Sequence, residues 1–114
     1  MDPKKNILFV CTVNRMRSAT AHEIYKTDPR FNVNSAGTDK SANQVITQEL
    51  LDWSETVIVM EKYHRNVIRK QFPKVYETKK IVCLYIPDEY DFMQKELITV
   101  LKNRFEVVIQ KGLI

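Results

Sequence analysis

Eight consecutive residues hold most of the chemistry this sequence could perform: Cys11, Thr12, Val13, Asn14, Arg15, Met16, Arg17 and Ser18. An arginine six positions after a cysteine, followed at once by a serine, is a spacing with a physical use. A loop of that length entering a helix can curl so that successive backbone N–H groups point inward. It then forms a nest for a tetrahedral dianion that the helix dipole also favours. The same field favours a thiolate, which makes Cys11 a candidate nucleophile. Arg17 offers a planar fork of donors that can grip two oxygens of a phosphoryl group and follow them into the transition state. Ser18 is placed to donate a hydrogen bond to the thiolate. Thr12, Val13, Asn14, Arg15 and Met16 supply the backbone that would line the anion, and Arg15 either projects toward an anionic substrate or is simply solvated. The bland alternative is that Cys11 is a small buried hydrophobe at a strand end.

The loop needs a strand before it and a helix after it, and the flanking residues supply both. Residues 5–10 end in four apolar positions, as a buried parallel strand would. Ala19, Ala21, Ile24 and Tyr25 share a helical face, with Ser18 as the expected N-terminal residue of that helix. Beyond Asp28 and Pro29, residues 31–34 alternate apolar and polar as a strand does, and residues 35–38 suggest a turn. Ile46, Leu50, Leu51 and Trp53 recur at helical spacing behind Thr47 and Glu49. Residues 56–60 are rich in branched side chains and predict a third strand, residues 62–72 a helix closed by Pro73, and residues 80–86 a fourth strand. A polar loop over 87–92 leads to a last helix whose apolar stripe is Met93, Leu97, Ile98, Leu101 and Phe105. Strands alternating with helices predict an α/β domain over residues 1–114: a three-layer sandwich with a parallel four-stranded sheet, helices on its faces and a phosphate-binding loop after the first strand. Ligands in such folds sit at the carboxyl ends of the strands. Cys11, Gly37, Glu61 and Asp88 each fall just after a predicted strand and should meet at that edge.

At 114 residues, 44% apolar and 28% charged, the chain has the balance of an ordinary globular domain and none of the bias of a disordered or fibrous one. The formal charge of +4 suits anionic ligands, but the basic residues are scattered along the chain and no run resembles a nucleic-acid-binding arm, so no nucleic-acid partner is expected. The charged start over residues 1–6 passes into an apolar run too short for a signal peptide or a membrane span, which predicts a cytoplasmic protein with no membrane partner. With only Cys11 and Cys83 present, reduced thiols are expected at both.

The loop at residues 11–18 resembles the signature loop of the low-molecular-weight protein tyrosine phosphatases. Ser35-Ala36-Gly37-Thr38, the segment 47–53, and Val59-Met60-Glu61-Lys62 with His64 and Arg65 resemble later landmarks of that family, so the likeness covers most of the chain. The resemblance implies a phosphatase acting on phosphotyrosine or a similar aryl phosphate, in a phosphorylated protein or a small ester. It implies a phosphocysteine at Cys11, phosphoryl binding by Arg17 and an aspartate in a late loop as general acid; separately, no residue pattern implies a cofactor, and the loop chemistry predicts a metal-free mechanism. The loop Ile86-Pro87-Asp88-Glu89-Tyr90-Asp91-Phe92 is similar to the family's Asp-Pro-Tyr acid loop. Asp88 is the first choice for the acid, with Tyr90 beside the substrate two residues on, and Asp91 is either the acid instead or a cap for the last helix. The sequence departs from the family pattern at Val13, where glycine is usual, and at Met16, where a second, protective cysteine is frequent. It is also shorter over residues 38–46, the segment that elsewhere helps to wall the pocket. Two other readings stay open. One is a catalytically weak phosphate- or phosphotyrosine-binding module that retains Cys11 and Arg17. The other is a thiol-dependent arsenate reductase, which needs two further cysteines where only Cys83 is on offer.

His22 and His64 make no metal-ligand pattern with each other or with Cys83 and are expected on helix surfaces. Trp53, Met60, Tyr63 and Phe72 are expected in the core or in helix packing, with Tyr63 or Tyr90 as the alternative candidates to border a pocket.

Overall fold

The structure is a computed structural model that describes residues 3–114; Met1 and Asp2, part of the charged start, lie outside the described residues. Ile7, Leu8, Phe9 and Val10 are all fully buried. A run apolar on both faces is stable only where both faces are covered, and it forms the middle of strand β1 (Lys5–Cys11). Around it the chain runs α1 (Arg17–Tyr25), β2 (Phe31–Gly37), α2 (Gln48–Trp53), β3 (Thr56–Val59), α3 (Lys62–Gln71), α4 (Pro73–Thr78), β4 (Lys80–Cys83) and α5 (Lys95–Gln110).

The four strands are parallel and ordered β2-β1-β3-β4. Ile7, Phe9 and Ile58 point to one face and pack with Ala21, Tyr25, Leu97, Leu101 and Phe105 from α1 and α5. Leu8, Val10, Val57 and Val59 point to the other and pack with Leu51, Ile68 and Val75 from α2, α3 and α4. This is the three-layer α/β arrangement expected from the sequence. The strand order reverses direction at β1, since β2 lies on one side of it and β3 on the other, and the crevice that such a reversal opens lies just beyond Cys11.

Several boundaries differ from the sequence expectation for local reasons. Ser35, Ala36 and Gly37 belong to β2 and pair with Phe9, Val10 and Cys11 instead of turning away. Helix α1 starts at Arg17 with Met16 in the cap position, so Ser18 is buried in its first turn and does not head it. Pro73 does more than end α3: its fixed φ and missing N–H suit the first position of a helix, and it opens α4. Strand β4 ends at Cys83 because Tyr85 takes a φ of 56°, and α5 begins after Met93, whose φ of 59° excludes it from a helix. Trp53 and Tyr63 are 37% and 57% exposed, whereas Met60 is fully buried and Phe72 packs against the second cluster. The Lys79 ammonium donates to the carbonyls of Leu51 (2.7 Å) and Ser54 (2.6 Å), closing the end of α2 against the segment that leads into β4. No helix among the described residues is long and apolar enough to cross a membrane.

Candidate active site

The loop between β1 and α1 closes around the Cys11 sulfur. Asn14 adopts a φ of 55°, a left-handed conformation that asparagine tolerates better than most residues, and this turn brings its N–H to 3.3 Å from Cys11 Sγ. The Asn14 side-chain amide donates to Ser18 Oγ at 2.8 Å, filling an acceptor site on that hydroxyl. Ser18 Oγ lies 2.9 Å from Cys11 Sγ, and its one proton can go to that sulfur or to the more distant Ala36 carbonyl at 3.4 Å. Cys11 is 2% exposed, and both groups facing its sulfur can donate, which suits an anion there. No side chain caps the start of α1, so its first N–H groups face the loop.

The loop is clamped from the β2 side by residues 38–43. Thr38 N–H donates to Cys11 O (3.0 Å), Asp39 N–H to Thr12 O (2.9 Å) and Asn43 N–H to Val13 O (3.1 Å). The Asn43 side chain adds a bond to Asn14 O at 3.0 Å. The short segment therefore acts as a buttress for the loop backbone, and Val13, half-buried, is accommodated within it. Arg15 is exposed and held across this buttress, donating to Asn43 Oδ1 (3.2 Å) and Ser41 O (3.0 Å). The fit leaves no room at Gly37, where an added Cβ would lie 2.4 Å from Thr12 O and 2.6 Å from Ala42 Cβ. Gly37→Ala is expected to cost about 1–3 kcal/mol in urea unfolding, because neither the strand nor the loop backbone can yield freely. It is also expected to weaken phosphate binding by displacing Thr12, and an unchanged unfolding midpoint with unchanged phosphate binding would count against the clamp.

From the β3 side the loop is gripped by the start of α3. Glu61 precedes the helix and its carboxylate accepts a bond from Arg17 Nη1, which also donates to the Ile86 carbonyl at 2.8 Å. Arg17 is 2% exposed, an unusual burial for a guanidinium and one that only such partners make tolerable. Because Nη1 is taken, the opposite edge, Nε and Nη2, is the one left to form a fork. Asp88 lies on the Nε side, with Oδ1 at 3.9 Å and a side chain 67% exposed.

His64 is fully buried and not on the surface as expected. Glu61 N–H donates to His64 Nδ1 (3.0 Å), which puts the ring proton on Nε2, and Nε2 donates to Thr12 Oγ1 at 2.9 Å. A reciprocal bond from His64 N–H to the Glu61 side chain completes a capping box. Glu61 and His64 thus hold the two ends of the β1–α1 loop from one helical turn. His22 is also only half-exposed and pairs with Ser35 Oγ at 2.8 Å.

Burial, and next the nearby Arg17 charge, push the His64 pKa down to about 4, against a smaller opposing pull from Asp88. Between about pH 6.5 and 4 the unfolded chain binds a proton at this residue that the folded chain refuses. Its contribution to stability is therefore complete above pH 6.5 and is lost as pH falls through this window, by about 3 kcal/mol at most. His64→Gln, whose amide can still donate to Thr12, is expected to flatten the fall in melting temperature over that range, and parallel pH profiles would refute this account.

Met16 is half-buried at the head of α1. Tyr90 is half-buried against the core cluster that contains Ile86 and Leu97. Asp91 is exposed, and Gln94, not Asp91, occupies the cap position of α5. Cys83 is buried in β4, and its thiol is pushed up, chiefly by burial. Val10 pairs with Val59, which pairs with Cys83. Two strand spacings, about 10 Å, therefore separate Cys83 from the neighbourhood of Cys11, beyond the roughly 7 Å that a disulfide spans. Sequence reasoning marks Glu61 only for its position after β3 and does not reveal that it holds Arg17. The signal is a carboxylate directly after a fully apolar strand.

A parallel sheet ordered 2-1-3-4 with a cysteine-to-arginine anion loop at its switch point is the fold of the low-molecular-weight protein tyrosine phosphatases. Among solved structures, the chain is similar to the low molecular weight protein tyrosine phosphatase SP-PTP from Streptococcus pyogenes, with 16% identity over 93% of this chain and 92% of that one and a TM-score of 0.74. It is similar to the tyrosine phosphatase Wzb from Escherichia coli, solved in complex with phosphate, with 20% identity over 96% and 99% of the two chains and a TM-score of 0.75. It is also similar to the YwlE arginine phosphatase from Geobacillus stearothermophilus, with 24% identity over 95% and 94% and a TM-score of 0.67. No family model matches the sequence, and no curated protein matches it.

Proposed function

We propose that this chain is a cysteine-dependent phosphomonoesterase of the cytoplasm that acts on aryl phosphates such as phosphotyrosine. The main support is the convergence of Cys11 Sγ, with donors from Asn14 and Ser18, the anchored guanidinium of Arg17 and the exposed carboxylate of Asp88 at the carboxyl end of β1. The neighbours in fold, which are named as tyrosine and arginine phosphatases, add to it.

In the first step the Cys11 thiolate attacks phosphorus, a sulfur–phosphorus bond forms and the ester oxygen–phosphorus bond breaks. Asp88 gives its proton to the departing oxygen. The three equatorial oxygens lie among the loop N–H groups and the Nε/Nη2 edge of Arg17. In the second step Asp88 takes a proton from water, the water oxygen attacks phosphorus, and the sulfur–phosphorus bond breaks to release inorganic phosphate. The thiolate that leaves is received by the Ser18 hydroxyl. A nucleophile that must stay reduced suits a reducing compartment.

The test is hydrolysis of para-nitrophenyl phosphate and of phenyl phosphate without added metal, by the natural chain and by Asp88→Asn and Asp91→Asn. Phenolate leaves far less readily than nitrophenolate, so loss of the acid should cost about 10²- to 10⁴-fold on phenyl phosphate and less on the activated ester. That pattern in Asp88→Asn with little change in Asp91→Asn supports the assignment, and the reverse pattern transfers the role to Asp91. An inactive natural chain whose melting temperature still rises with vanadate or phosphate would instead make this a phosphate-binding module.

A further inference from the structure

The net positive charge of this protein is concentrated in one segment that begins at the site. Residues 62–76, which cover α3 and the start of α4, contain Lys62, Arg65, Arg69, Lys70 and Lys74 and no Asp or Glu. The chain has 18 basic and 14 acidic residues, and without these five the balance is 13 against 14, so the whole excess of +4 resides here. None of the five joins a salt bridge among the described residues. Four are exposed and Arg65 is half-buried, while His64 and Ile68 turn inward. Lys62, Arg65 and Arg69 stand three and four residues apart and share a helical face, with Lys70 beside it. The Arg69 guanidinium lies 5.9 Å from the centre of the Tyr76 ring, which steadies it without neutralising it. Lys62 follows directly on Glu61, the residue that grips Arg17.

We propose that this face docks a short acidic segment of polypeptide next to the phosphorylated residue, an inference that rests on reading the site as a phosphatase and names its substrates as acidic phosphoproteins. Lys62 to Lys70 spans about 12 Å at 1.5 Å per residue, the length of roughly four residues of extended chain. A long polyanion such as a nucleic acid gains contact only over this distance and then meets a surface with a slight negative excess. That surface includes the acid loop with Asp88, Glu89 and Asp91.

The experiment measures fluorescence anisotropy of labelled peptides on Cys11→Ser protein, which does not require turnover. One peptide carries phosphotyrosine followed by four glutamates and the other phosphotyrosine followed by four alanines. The glutamate peptide is expected to bind about tenfold more tightly at low ionic strength, falling to within about twofold in 0.5 M salt. The same loss is expected in the combined variant Lys62→Glu, Arg69→Glu and Lys70→Glu. The single exposed changes Lys62→Ala and Lys70→Ala should each lower the preference about two- to threefold, so the result does not hang on the folding of the triple variant. Equal affinity for the two peptides, or affinity for neither, overturns the proposal. Displacement by a single-stranded DNA oligomer at lower concentration than by unlabelled glutamate peptide also overturns it, assigning the face to nucleic acid. Failure of the natural chain to hydrolyse para-nitrophenyl phosphate tells against the phosphatase reading alone and leaves the binding comparison readable.

Discussion

Cys11→Ser is expected to lower hydrolysis of para-nitrophenyl phosphate at least about 10⁴-fold while leaving inorganic phosphate able to bind. Cys11 is 2% exposed, and its sulfur meets the Asn14 N–H at 3.3 Å and, at 2.9 Å, the Ser18 hydroxyl, which can donate to it. Donors suit an anion that is already formed, but they cannot take a proton from an alcohol. Both imidazoles are otherwise engaged, His64 at Nδ1 with Glu61 and at Nε2 with Thr12, and His22 with Ser35, while Asp88 lies on the Arg17 side, so neither hydrogen-bond partner of residue 11 is a base that could activate serine. The proposed phosphate nest is made of backbone and Arg17, which the substitution does not touch. Steady-state rates together with phosphate-induced stabilisation of the variant check both halves. Turnover within tenfold of the natural chain would sink the nucleophile assignment.

Arg17→Ala and Arg17→Lys should both reduce kcat/KM by about 10³-fold or more, with lysine recovering little. Arginine can give Nη1 to Glu61 and the Ile86 carbonyl and still present Nε and Nη2 as a fork to two phosphoryl oxygens. Lysine has one nitrogen for both tasks. The loss should fall on kcat as well as on KM, because the fork matters most when charge spreads over the equatorial oxygens. The alanine variant also strands Glu61, whose carboxylate then faces Asp88 without the intervening cation, so a modest fall in melting temperature should accompany it. A lysine variant that retains more than a tenth of natural kcat/KM would show that a point charge suffices, and Glu61 would then have no part in aiming a fork at the substrate.

The loop is legible because it is contiguous: the proposed nucleophile, the backbone proposed to hold the anion, the guanidinium and the serine lie within residues 11–18, so spacing alone constrains their geometry. The sheet is legible for a related reason. Buried parallel strands must be apolar on both faces, and the runs around Val10 and Val59 cannot be soluble anywhere else. Local conformation is harder to foresee. The left-handed turns at Tyr85 and Met93 shorten β4 and delay α5 in a segment whose apolar pattern continues through them. Pro73 reads as the end of α3, yet the preference of proline for the first turn of a helix makes it the start of α4 as well.

Residue identity and near-neighbour spacing thus determined the fold class, the loop over residues 11–18 and the candidates Cys11, Arg17 and Asp88. Only the tertiary structure decided what holds them. Arg17 meets Glu61 across 44 positions of sequence and Ile86 across 69, and Thr12 meets His64 across 52. The reason is that periodicity within an element is written locally, whereas partners between elements are chosen by strand order and register. Those emerge from packing the whole core, with β1 at the centre of the sheet and both grips on the loop supplied by its neighbours β2 and β3.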